Sequence, residues 1–160
     1  MNAWGAVAGG FVGTVVLTSA LRAASELGLT RMDLPFLLGT AFSTDRTRAK
    51  ALGYLLHFVF GQGFAFVYYG VFIAIGHSGW ALGAAFGLLH GIFASTALVS
   101  VLLPIAHPRM GTSESSAADR PLLEPPGFMM LNYGARTPLA TLLSHIAYGA
   151  IVGGFVSLAS

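Results

Sequence analysis

Apolar residues fill four stretches of this chain, and acidic and basic side chains are absent from all four. The longest runs over 51–75 and contains GYLLHFVFGQGFAFVYYGVFIAI, in which His57 is the one histidine. At ~1.5 Å per residue such a run crosses a hydrocarbon core of ~30 Å. The other three cover 4–21, 80–103 and 139–158. The pattern predicts an all-α integral membrane protein, one domain over 1–160, built as a bundle of four transmembrane helices. The start, MNAWGAVAGG, has no basic region and no clear cleavage site, so it reads as a retained helix. Trp4 suits an interfacial position at its outer end.

Small residues recur at helical spacing within these stretches. Gly5, Gly9 and Gly13 share one face of the first. Gly79, Gly83, Gly87 and Gly91 form a longer stripe on the third, and Gly149 and Gly153 lie on one face of the fourth. Faces without side chains let helices approach closely, so these positions are read as packing surfaces, within the chain or against another.

The polar connections are unequal. Residues 76–79, Gly-His-Ser-Gly, form a tight turn, which makes the second and third spans expected antiparallel neighbours. Residues 22–50 and 104–138 hold all eight Lys and Arg and all six Asp and Glu. The positive-inside rule then puts both long connections in the cytoplasm and both termini outside, with a bacterial inner membrane as the expected location. In the first connection, residues 32–39 are too short to span and are expected to lie in the interface or re-enter slightly. In the second, residues 111–119 are small and polar and expected to be the most mobile part, while 122–133 are apolar enough to rest on the membrane surface. His107-Pro108-Arg109 and Asn132 to Arg136 are candidates for meeting a lipid head group or a phosphate.

The halves resemble each other. Leu55-Leu56-His57-Phe58-Val59-Phe60-Gly61 parallels Leu142-Leu143-Ser144-His145-Ile146-Ala147-Tyr148-Gly149, with one extra residue. This predicts a two-fold internal repeat of helical hairpins, with the pseudo-axis along the membrane normal.

Composition narrows the chemistry. Hydrophobic residues make up 55% of the chain and charged ones 9%, against about 25% charged in a soluble domain. Without cysteine, disulfides, iron–sulfur clusters and thiol catalysis are excluded. No P-loop, dinucleotide fingerprint or zinc-protease motif is present, and no basic stripe points to nucleic acid. Catalytic groups are scarce, and an enzyme is not expected.

What remains is His57, His90 and His145, at comparable depth on three spans, where an ionisable side chain is costly and by default faces protein. Three readings are open. The histidines can join helices by hydrogen bonds. His57 and His145 can ligate haem b, with Gly53, Gly61, Gly149 and Gly153 clearing room for the porphyrin. All three can bind a divalent metal. The spans hold no carboxylate for a cation path, which weighs against transport or proton relay. The expected function is structural or accessory. The chain would act through helix packing in a homo-oligomer or as a subunit of a larger membrane complex, with haem or metal binding and transport as alternatives.

Overall fold

The computed structural model describes residues 1–110 and 123–159; the stretch 111–119, expected to be the most mobile, lies outside them. The regular structure is helical apart from one isolated bridge between Met110 and Leu123. Four helical segments are long and apolar enough to cross a membrane: Ala3–Glu26, Arg46–Ile75, Trp80–Ala106 and Thr137–Leu158. The helices are α1 (Ala3–Glu26), α2 (Leu34–Gly39), α3 (Arg46–Ile75), α4 (Trp80–Phe93), α5 (Leu103–Ala106) and α6 (Thr137–Leu158).

Local chemistry accounts for their ends. The Asn2 side chain accepts from the Gly5 N–H at the start of α1, and Asp45 accepts from the Arg48 N–H at the start of α3. Helix α1 runs past position 21 because Arg22 and Glu26 pair one turn apart, at 2.7 Å, and carry it into the polar connection. Helix α3 stops at Gly76, whose φ of 71° is the left-handed conformation that closes a helix.

The third span does not end before Pro104. Residues Ala94–Leu102 widen into a π-helix between α4 and α5, and the helix continues through the proline to Ala106. A proline lacks an N–H and crowds the preceding turn, and a π turn relieves both. Three hydroxyls take up backbone carbonyls in this region: Ser95 on Gly91, Thr96 on Ile92 and Ser100 on Ser95.

Helix α6 is the central post. On one side it meets α1, where Gly5 faces Phe155 and Val156, Gly9 faces Val152, and Gly13 faces the Tyr148 ring. On the other it meets α4, where Gly83 lies on Gly149, Gly87 on His145, and Gly153 on Gly79. A Cβ at Gly83, Gly87, Gly149 or Gly153 would overlap a carbonyl oxygen of the facing backbone. The striped faces therefore join helices of one chain.

Helix α3 packs on the outer side of α1, with Ala65 and Gln62 against Gly10, and Gln62 donating to the Ala6 carbonyl at 3.2 Å. The second and third spans are neighbours across the short turn, but their backbones do not pack closely. Helices α3 and α4 leave the turn at 76–79 and meet through rings: Phe86 stands edge-on to Tyr68 at 6.1 Å and Phe72 at 5.8 Å. Burial follows this order. The most apolar windows of α1 and α6 are 44% buried, against 17% in α3 and 22% in the third span.

The two long connections interlock. Helix α2 lies on the start of α3, with Gly39 on the Ala49 carbonyl and Gly53 on the Pro35 carbonyl. The Thr30 and Thr137 hydroxyls bond at 2.7 Å, and the Arg31 N–H donates to the Tyr133 carbonyl at 2.7 Å. Arg31 also pairs with Glu124 at 3.1 Å. The apolar segment of the second connection, described from Leu123 on, is two-faced, with Phe128 and Leu131 exposed. It forms a 3-10 helix, Phe128–Tyr133, that buries Met130 and Tyr133 in the core.

Inserting a side chain into the α4–α6 seam is the sharpest test of this packing. Gly149→Val should lower stability in detergent by about 1–3 kcal/mol or more, the range for overpacking, as read from thermal unfolding followed by circular dichroism. Gly63 is the control, because a methyl group there would meet nothing within 4 Å. Gly63→Ala should be neutral or slightly stabilising.

Candidate functional site

Because α3 and α4 are held apart while both connect to the α1–α6 pair, a space is left between them. It is a cavity of about 580 Å³, closed by α1 and α6 behind and by α2 and the residues after it at one end. Small-molecule sites run from about 300 to 1,000 Å³, so this volume suits a ligand and far exceeds a packing defect. Its wall is mostly apolar: Leu17, Leu34, Leu38, Phe42, Phe60 and Phe64 on one part, Leu98, Val99, Leu102 and Leu103 on another. Four of its lining residues, Ala94, Leu98, Val99 and Leu102, belong to the π-helix, a conformation common at functional sites.

The structure brings His57, His90 and His145 to this one cavity. Each comes from a different helix and is held by its Nδ1. His57 Nδ1 is 3.1 Å from the buried Thr18 hydroxyl of α1. His145 Nδ1 is 2.8 Å from the Thr141 carbonyl one turn back in α6. His90 Nδ1 is 3.3 Å from the Tyr68 hydroxyl.

One of these bonds assigns a tautomer. A carbonyl only accepts, so His145 carries its proton on Nδ1 and presents a bare Nε2. Tyr68 has no other hydrogen-bond partner among the described residues. Its hydroxyl both donates and accepts, so this contact fits either tautomer of His90. Thr141 Oγ1 is the one sealed side-chain polar atom without a partner among the described residues. Among the described residues the three Nε2 atoms have no protein partner; all three residues line the cavity, and His57 also borders a second cleft.

Aromatic rings fix the head of the cavity. His90 lies against Phe64 with centroids 3.9 Å apart, and its ring meets His145 edge-to-face at 4.7 Å. The Tyr148 hydroxyl donates to the Gly61 carbonyl, which ties α6 to α3. His57 also borders a second, water-sized cleft of about 20 Å³, lined by Arg22, Ser25, Asp33 and Tyr54.

For a metal or haem the fit is poor. Among the described residues no three His, Cys, Asp or Glu side chains form a group that could hold a metal ion. The four glycines expected to clear room for a porphyrin are covered: Gly53 by Pro35, Gly61 by Thr14, Gly149 by Gly83 and Gly153 by Gly79. Arg46, at the start of α3, lies over the Phe36 ring at 5.8 Å.

Two other candidates have a different task. His107 and Arg109 do not present themselves to a head group; they hold the end of α2. His107 Nδ1 accepts from the Arg109 N–H at 3.1 Å, which leaves the proton on Nε2 to donate to the Leu37 carbonyl at 3.1 Å. The Arg109 guanidinium donates to the Thr40 and Ser43 carbonyls. Sequence reasoning missed this clamp and the π-helix. The hydroxyl cluster Ser95, Thr96 and Ser100 ahead of Pro104 was the available signal for the latter.

Burial lowers the pKa of His107 from its ordinary 6.5; the Leu37 carbonyl opposes this and Arg109 adds to it. A neutral imidazole kept below its unfolded value gives its full stabilising contribution above that value. The contribution is lost as pH falls through the lowered folded value. Thermal stability in detergent should therefore be flat above about pH 7 and fall on acidification. His107→Gln keeps one acceptor and one donor without titrating, and should make that fall shallower.

No protein-family model, curated protein or solved structure matches this chain, so the site is read from its geometry alone.

Proposed function

We propose that this chain is an integral membrane protein that takes an apolar molecule from the bilayer into the cavity between α3 and the third span. The molecule's polar end would lie at His57, His90 and His145. One observation carries the reading: a ligand-sized cavity with an apolar wall that His57, His90 and His145, from three different helices, help to line. A few polar groups converging in an apolar pocket is the usual form of a small-molecule site.

The membrane part of the reading draws on four apolar segments of sufficient length and on the confinement of charge to two connections. These support long connections in the cytoplasm and both termini outside. The helical hairpins support a repeat, since α1 packs with α3 and α4 with α6. In that reading the counterpart of the tight α1–α6 contact is the pairing of α4 with α3, and that is the pairing left open. A subunit role through glycine stripes draws less support, because those glycines are spent within the chain.

Two experiments test this. The chain has no cysteine, so single cysteines report topology cleanly. Ser78→Cys should react with an impermeant maleimide on intact cells, and Ser43→Cys only after permeabilisation; the reverse pattern would invert the orientation. For the cavity, the protein is purified into lipid nanodiscs and analysed by native mass spectrometry and solvent extraction. Wild type should retain about one apolar molecule per chain. Leu98→Trp, which fills the cavity from the π-helix, should lose it while keeping its fold. Equal retention by both would sink the reading.

A further inference from the structure

The wide turns of the third span give the cavity wall its shape, and the wall's charge inventory restricts what can lie on it. We infer that the occupant is an uncharged lipid with one long unbranched tail, laid along the third span from His90 toward His107. This rests on the cavity reading above and names the ligand class within it.

Among the described residues that line the cavity there is no Lys, Arg, Asp or Glu. Arg109, two residues beyond the lining residue His107, is spent on the Thr40 and Ser43 carbonyls. The histidines are a poor substitute for it. The His90 and His145 ring centroids are 4.7 Å apart, so a charge on one opposes a charge on the other. A carboxylate or phosphate head would therefore enter an apolar space without a fixed counter-charge, at high cost. An uncharged head avoids that cost, and a hydroxyl can pair with an imidazole in either tautomer.

The shape argument comes from spacing. On the third span the lining residues recur in steps of four: His90, Ala94, Leu98, Leu102 and Ala106. In an α-helix a step of four overshoots the 3.6-residue turn by about 40°, so four steps would carry Ala106 about 160° round from His90. Residues Ala94–Leu102 are π-helical, and a π turn takes in more residues than an α turn. The wide turns offset the drift and keep all five positions on the cavity side. The result is an unbroken strip about 20 Å long, at ~1.5 Å per residue less the shortening of the π turns. One leaflet of hydrocarbon is about 15 Å deep, so the strip accommodates the extended tail of a single membrane lipid. Where α2 closes the cavity, Leu38, Phe42 and Ala106 are apolar and both His107 nitrogens are committed. That end receives the end of the tail, and the polar head belongs at the other.

The test uses two probes that differ in head charge, hexadecanol and hexadecanoic acid, each with a photoreactive diazirine at mid-chain. They are added to the purified protein in nanodiscs at about pH 9, where the acid is ionised. After illumination, intact mass counts the label per chain and peptide mapping locates it. The alcohol should label about one site per chain, within 94–106, and about tenfold more than the acid. Unmodified hexadecanol should compete for that site. Cholesterol, an uncharged alcohol with a rigid ring system, should not. Leu98→Trp should lose the label, and its thermal unfolding separates lost binding from lost fold. Equal labelling by the acid overturns the uncharged head. Label spread evenly over the four spans, or equal competition by cholesterol, overturns the unbranched tail. If the alcohol does not label but Leu98→Trp still expels the native occupant, the lipid assignment fails and the cavity reading stands. If a folded Leu98→Trp keeps the native occupant, the cavity reading fails first.

Discussion

The close approach of α4 and α1 to opposite faces of α6 is the constraint from which the other features follow. In a bilayer the lipid tails are as apolar as a leucine, so helices gain little by hiding apolar side chains from solvent. What they gain comes from contact density, and glycine facing glycine gives the closest contact two helices can have. Gly83 on Gly149 and Gly153 on Gly79 bring two backbones together along most of a span. On the other side, Gly5, Gly9 and Gly13 do the same against larger partners. Once α6 is held from both sides, α3 has room only beyond α1, and the distance between α3 and α4 is set by what bridges them.

That bridge is aromatic. Tyr68, Phe72 and Phe86 meet near the short turn, and Phe64 with His90 lies further along. Rings hold helices apart as well as together, since an edge-to-face pair keeps centroids ~5–6 Å apart. Beyond His90 the third span becomes a π-helix with small and aliphatic residues, and the bridge stops. The cavity begins there. Its far end is closed by α2, which has no length to span anything but is clamped by His107 and Arg109 onto the end of the third span. The same proline that invites a helix end is what the π turn accommodates, and this brings His107 within reach of α2.

Much of this was legible in the sequence, and the limits have physical causes. The four spans could be read because length and apolarity are properties of a segment alone. The glycine faces could be read because spacing at four is local as well. Which face meets which was not readable, since glycine is complementary to almost anything. The short Gly-His-Ser-Gly turn marked α3 and α4 as neighbours but not how far apart they lie, because a tight turn sets where two helices start and not how their axes diverge. The three histidines were legible as a group through their common depth. Their partners were not, because Thr18, Tyr68 and the Thr141 carbonyl come from a neighbouring helix, the same bundle and the same helix respectively. Glycines expected to make room at the histidines are filled by backbone instead, for the same reason that they pack well.

The Nδ1 bonds explain why these imidazoles suit recognition better than charge transfer or metal ligation. A histidine held through Nδ1 by a carbonyl has one tautomer, and its Nε2 is then an acceptor whose direction is set by the helix. A histidine held through Nδ1 by a phenol can take either tautomer, since the phenol both donates and accepts. Two such rings in contact, His90 and His145, bring polar edges into an otherwise apolar wall. Neutral polarity of this kind is tolerable in an apolar wall, and unmatched polar edges still favour an occupant that meets them. A metal would instead need bare nitrogens to converge as a set, and among the described residues no such set forms.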